Sequence, residues 1–327
     1  MSIKLLENYD SLLPEERHVL NDLFWKNLSV KKEEILDDSE DSKIEEYAKD
    51  IVEACNKDVD EALVLVLEKK VELIKKKKKN TTEYQVLMAF NYLLDNADSW
   101  LSSFKHSEAE LVSRLNDLLK IFFSNTAIIT KIGETTSAST KQSRNSNEFN
   151  FSKSSSSNFF ISGSASTSTS KSIAGRKIDI LIKSKDIELS CCEFKASASK
   201  CLTSYQRSKN LRLNQEIKEG LKKVNVNTQV IGLNWEGKYG YLFGLTEQNG
   251  VYVDYHLCNL IFPAAIKSVD HHFVSTLKHI ASWKNFLVDL NAKAVNSMML
   301  PSHYEPDYPL TCHTPIYTPN KRQRTSE

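Results

Sequence analysis

Apolar residues along the first hundred positions recur at helical spacing. Ile44, Tyr47, Ile51, Cys55, Val59, Ala62, Val66 and Leu73 fall mostly three or four apart, which predicts helices. No glycine interrupts this stretch, and Pro14 stands where a first helix can begin. A second helical pattern covers residues 83–104. The lysines at 75–79 read as a solvated helix end, where cations meet the negative pole of the helix dipole. Ser107-Glu108-Ala109-Glu110 then has the spacing of a capping box. Leu111, Val112, Leu115, Leu118, Leu119 and Phe122 continue it as one apolar stripe. Glu110 falls off that stripe and caps. Glu108 lies one turn before Leu111 and Val112, in line with the stripe, where a buried carboxylate needs a partner or a function. The plain alternative is a first-turn carboxylate exposed to solvent and favoured by the dipole.

Beyond this helix the period changes to two. Residues 126–132 are short, β-branched and apolar, and read as a strand. Lys177-Ile178-Asp179-Ile180-Leu181-Ile182 and Glu188-Leu189-Ser190-Cys191-Cys192-Glu193-Phe194-Lys195 read as two more, joined by a short connection that suits a hairpin. Leu213, Ile217 and Leu221 place a helix over 205–223. Residues 228–257 return to strand character, with Gly237, Gly244 and Gly250 as turn or bulge points. A helix over 269–294 follows. Between the first two strands, residues 135–174 are dominated by serine, threonine and asparagine. That composition cannot bury a core and predicts a long, mostly disordered insert. The last 27 residues hold five of the seven prolines and read as an extended tail.

Four regions follow: a helical N-terminal part (1–106), an α/β domain (107–262) carrying the serine-rich insert, a C-terminal helix (263–300) and a proline-rich basic tail (301–327). The 327 residues suffice for a sizeable core, and the 40% hydrophobic and 26% charged fractions are those of an ordinary globular chain. No apolar run is long enough to cross a bilayer and no secretory signal opens the chain, so the expected setting is soluble and intracellular, without membrane. None of the six cysteines forms a Cys-x-x-Cys pair, which argues against structural zinc; Cys191 and Cys192 read as reduced filler on opposite faces of one strand. The histidines at 256, 271, 272 and 279 show no metal spacing, since adjacent helical positions diverge. No glycine-rich phosphate loop is present, which excludes the common nucleotide hydrolases.

Charge is uneven although the net is only +1. Residues 1–60 carry 17 acidic and 8 basic side chains, a net of −9 that suits a protein partner; residues 171–223 carry 13 basic and 6 acidic, a net of +7 that suits a polyanion. Lys321-Arg322-Gln323-Arg324, after Pro319, reads either as a nuclear address or as a solubilising end, so the expected compartment is nuclear or cytoplasmic.

The chemistry concentrates in the basic stretch. Side chains alternate across a strand. Ile178, Ile180 and Ile182 therefore share one face and Asp179 takes the other, while Glu193 and Lys195 share a face opposite Phe194. Two carboxylates on neighbouring strands can hold Mg²⁺, which prefers oxygen ligands. Lysine beside them can stabilise charge on a phosphoryl group. Trp235, Tyr239 and Tyr241 read as sheet packing before they read as base-stacking residues.

At Asp179 and Glu193-Phe194-Lys195 the sequence resembles the PD-(D/E)XK nuclease superfamily, with its restriction-endonuclease-like fold. That resemblance implies a core of helix, three strands, helix and strand over residues 107–260. It implies Mg²⁺, with Mn²⁺ as the alternative, at Asp179, Glu193 and a first-helix carboxylate matched by Glu108. Asp179, Glu193 and Lys195 would be catalytic, with a polar side chain from the following helix. Gln206 matches that last role, on a face shared with Asn210 and Asn214. The proline that usually precedes the aspartate is replaced by Ile178. The expected protein is thus an α/β chain with a mixed sheet flanked by helices, preceded by a helical region. Its expected activity is metal-dependent hydrolysis of nucleic acid, DNA before RNA. The alternative is an inactive nucleic-acid-binding or protein-interaction protein on the same fold.

Overall fold

The computed structural model describes residues 4–5, 41–97, 107–141, 177–196, 200–248, 251–263 and 269–299. The start at Pro14, the phenylalanines of the serine-rich insert, the basic tail and most of the acidic N-terminus lie outside these residues.

Three helices open the described chain: α1 (Asp41–Lys57), α2 (Val59–Lys75) and α3 (Thr82–Asp95). Asp58 separates the first two by capping α2, its carboxylate accepting from the backbone N–H groups of Asp60 and Glu61. Thr81 does the same for α3. Helix α3 ends at Asp95 with Asn96 at its C-cap, and residues 98–104 of the pattern predicted over 83–104 lie outside the described residues. Helix α4 (Glu108–Phe123) begins with the expected capping box: Ser107 Oγ accepts from Glu110 N–H, and the Glu110 carboxylate accepts from Ser107 N–H at 2.7 Å.

The strands are β1 (Lys4–Leu5), β2 (Ile129–Thr136), β3 (Lys177–Ser184), β4 (Ile187–Lys195), β5 (Val230–Glu236), β6 (Tyr239–Gln248) and β7 (Val251–Ile261); α5 (Lys200–Lys223) joins β4 to β5, and α6 (His271–Met299) follows β7. They form one sheet in the order β1-β7-β6-β5-β4-β3-β2. Two antiparallel meanders, β2-β3-β4 and β5-β6-β7, meet at a parallel β4–β5 pair, and the helical crossover α5 supplies the length a parallel connection needs. The fold is therefore mixed α/β, with an N-terminal run of helices. Two departures from the sequence reading occur at the ends of segments. Lys4 and Leu5, placed in a helical region, lie parallel to Val253 and Asp254, because the edge of β7 offers an open ladder. Residues 135–141, read as the start of a disordered insert, are ordered. Strand β2 runs to Thr136, and the buried Glu188 carboxylate then accepts from Ser137 Oγ and from the N–H groups of Ala138 and Ser139.

Short turns set the register. Lys185 takes φ 51° in the β3–β4 hairpin and Gly237 takes φ 57° in the β5–β6 hairpin, the left-handed conformation that tight hairpins require. On one side of the sheet an aromatic chain runs Phe194, Trp235, Phe262, Phe273, Phe90, with successive ring centroids 4.8 to 6.5 Å apart. It welds β4 and β5 to α6 and α3, and one continuous core extends from Ile44 to Ala294. Trp235 is thus a packing residue, as expected, whereas Tyr239 is exposed. Among the described residues no helix is long and apolar enough to cross a membrane.

Candidate active site at the C-terminal end of β4

The site sits where β4 leaves its two neighbours. Ile180 pairs with Cys192 and Leu181 with Cys191. One more step of that register sets Asp179 opposite Glu193, so both carboxylates leave the same face. Asp179 replaces a ladder bond with its side chain: Oδ2 accepts the Phe194 N–H at 2.8 Å, which pins the carboxylate against β4, and Oδ1 has no hydrogen-bond partner among the described residues.

Glu193 is only 2% exposed. Its Oε2 accepts from Lys209 Nζ at 2.6 Å, and its Oε1 is buried with no hydrogen-bond partner. Burial, and then the neighbouring Asp179 carboxylate, push its carboxyl up from 4.5 to about 8, against the pull of Lys209 and Lys195. Lys195 reaches away to Glu108, Nζ to Oε2 at 2.9 Å. That pair is partly solvated, so it orients the lysine loosely and is worth at most about 1 kcal/mol.

The sequence brings Asp179, Glu193 and Lys195 together, and Glu108 reaches the same corner through Lys195. Glu108 does not complete a three-carboxylate cluster, since the ligand atoms of Asp179, Glu193 and Glu108 do not all fall within 4.8 Å of one another. Gln206 is buried on α5, and its amide donates to the Trp235 carbonyl at 3.3 Å instead of to a carboxylate. Asn210 and Asn214 are likewise committed to the sheet. Asn210 donates to the Leu233 carbonyl at 2.8 Å. Asn214 accepts the Cys191 N–H at 3.2 Å, and Ser190 Oγ donates to the Ile231 carbonyl at 2.6 Å. The reason is geometric. The β4–β5 ladder begins only at Cys192 and Leu233; Asn214 and Ser190 satisfy backbone groups just before it, and Asn210 serves the carbonyl of its first pair. Gly232 makes room for this approach: a Cβ there would stand 2.6 Å from Asn214 Nδ2.

The α5 side chain that touches the site is Lys209, which the sequence reading missed. Its signal was present: it stands one turn after Gln206 in a basic segment. Burial holds the Cys191 and Cys192 thiols well above the ordinary cysteine range, which removes them as nucleophiles. His271 and His272, expected to diverge, have ring centroids 3.9 Å apart, and with Asp270 they form the one three-ligand group within 4.8 Å among the described residues. They lie in the first turn of α6, away from the paired carboxylates in sequence and exposed to solvent. Comparison of the chain with protein-family models, curated proteins and solved structures gives no match.

Proposed function

We propose that this protein is a metal-dependent nuclease that hydrolyses phosphodiester bonds, of DNA before RNA, at the Asp179–Glu193–Lys195 corner. One observation carries the proposal: Glu193 Oε1 is buried without a hydrogen-bond partner beside a second carboxylate on the adjacent strand. An orphaned buried carboxylate oxygen is costly unless a ligand satisfies it. The oxygen donors of Asp179 and Glu193 fit Mg²⁺ or Mn²⁺, and these two carboxylates would hold it. Bound there, such an ion would polarise a phosphoryl oxygen and lower the pKa of water.

The chain's own residues supply the rest. Asp179 is preset by its bond to Phe194 N–H, so little ordering is needed on binding. Lys195, on the same strand face, offers an ammonium to the charge that develops on phosphate. Glu108 positions that ammonium until a substrate competes for it. Lys209 favours the ionised form of Glu193 that a metal would need and adds to the basic field that attracts a polyanion. Gln206 supports the site from beneath by fixing α5 to β5. The reading extends the PD-(D/E)XK resemblance, and the element order α4-β2-β3-β4-α5-β5 supports it. The basic tail favours a nuclear setting, and the acidic N-terminal part favours a protein partner.

A second reading, an inactive nucleic-acid-binding protein on the same scaffold, is favoured by a different observation. Lys209 and Lys195 are already paired with Glu193 and Glu108, and the three carboxylates do not converge. The test is cleavage of single- and double-stranded DNA and RNA with Mg²⁺ or Mn²⁺, beside metal titration by calorimetry. Lys195→Ala is expected to lose cleavage and keep metal binding, because lysine is no cation ligand; Asp179→Ala loses both. Cleavage that persists in folded Asp179→Ala protein defeats the mechanism. Salt-sensitive binding without cleavage by the wild type selects the second reading.

A further inference from the structure

Helix α2 has two apolar faces, and the fold uses one. Ala62, Val66 and Leu73 are buried against the bundle. Val64, Leu67, Val71 and Ile74 are 45 to 55% exposed, and the first three line an open apolar groove with Glu68, Glu72 and Lys75. Their spacing is three, four, three, which is the seam of a helix that packs against another helix. Solvated apolar side chains at alternate seam positions need an occupant to be explained.

The charges beside the stripe say which. Lys69 is paired with Asp50, Lys70 with Asn91 and Lys76 with Glu72. Glu68 and Lys75 flank the same side of the stripe and have no such partner among the described residues. They stand seven residues apart, about 10 Å along the axis, too far to pair with each other. We infer that α2 is a self-association surface on which a second copy of this chain packs its own α2 in antiparallel sense.

In that arrangement Val64 packs against Ile74 of the second copy, and Leu67 against its Val71. Helical side chains lean toward their own N-terminus. In an antiparallel pair this lean brings Glu68 to Lys75 of the second copy and Lys75 to its Glu68. The contact is isologous and closes as a dimer. A parallel pair instead sets Lys70 against Lys75, like charge against like, and is disfavoured. The stripe is about 15 Å long, short for a standard interface of about 800 Å² per partner. The dimer is therefore reversible, with monomer and dimer both populated at micromolar concentration.

The test is sedimentation velocity of the full chain from about 1 to 500 µM, with circular dichroism to verify folding of each variant. Wild type is expected to shift from monomer to dimer over this range, and Leu67→Lys to stay monomeric. Glu68→Lys alone and Lys75→Glu alone each turn two attractive pairs repulsive and weaken dimerisation roughly tenfold. An equimolar mixture of those two single variants restores it, because each supplies the charge the other lacks. A partner of any other kind gives no such rescue. Wild type that remains monomeric at the highest concentration overturns the inference, as does a mixture no stronger than the single variants.

Discussion

Glu193→Gln separates a buried titrating carboxyl from a structural ion pair, because it changes the protonation chemistry and almost nothing else. In the metal-free protein the Glu193 carboxyl titrates near 8, whereas in the unfolded chain it titrates near 4.5. Between those values the folded protein holds a proton that the unfolded chain has released. The unfolded state thus binds fewer protons, and stability falls as pH rises, by up to about 1.4 kcal/mol per pH unit. The stability is fully present below pH 4.5 and is lost by the time pH passes 8. The difference of 3.5 units corresponds to about 5 kcal/mol at most, set against a typical total of about 5–15 kcal/mol. Glutamine keeps an acceptor for Lys209 and carries no titrating proton, so the variant lacks this slope. The assay is urea unfolding in EDTA at intervals from pH 5 to pH 9, for wild type and variant, since other titrating groups cancel in the difference. The two proteins are expected to match at pH 5 and to diverge steadily, with the variant more stable by several kcal/mol at pH 9. Added Mg²⁺ then restores the wild type at high pH and leaves the variant unchanged, if Glu193 is a ligand. Parallel pH profiles in EDTA refute the reasoning, because they place Glu193 in water or make Lys209 dominant over burial.

Three further expectations follow from the geometry. Asn214→Leu strands the Cys191 N–H where the β4–β5 ladder has ended and should cost about 1–3 kcal/mol, read as a lowered urea midpoint. Ser107→Ala removes the capping box of α4 and should cost about 1 kcal/mol, again in urea unfolding; an unchanged midpoint refutes it. Cys191 and Cys192 should resist a thiol reagent at pH 8 in the native protein and react on unfolding, since burial raises both thiols; peptide mass spectrometry resolves the sites, and native labelling refutes it.

Much of this protein was legible from its chain. Alternation put Asp179 opposite its isoleucine neighbours, and the short link after Ser184 made β3 and β4 adjacent, so the facing of Asp179 and Glu193 followed from local geometry alone. The capping box at Ser107 and the apolar stripe of α4 were equally local. These features depend on backbone periodicity, which the sequence specifies within a few residues. What the tertiary structure decided depends on distance between segments. Helical positions 206, 209 and 210 all lie near one face, and the pitch of α5 across the sheet determined that Lys209 meets Glu193 while Gln206 meets the Trp235 carbonyl. The start of the β4–β5 ladder at Cys192 and Leu233 decided that Asn214 serves the Cys191 N–H just outside it and Asn210 the carbonyl of its first pair. The orphaned Glu193 oxygen is also a product of packing, because desolvation is the sum of every neighbour that excludes water, and no periodicity in the chain encodes that sum.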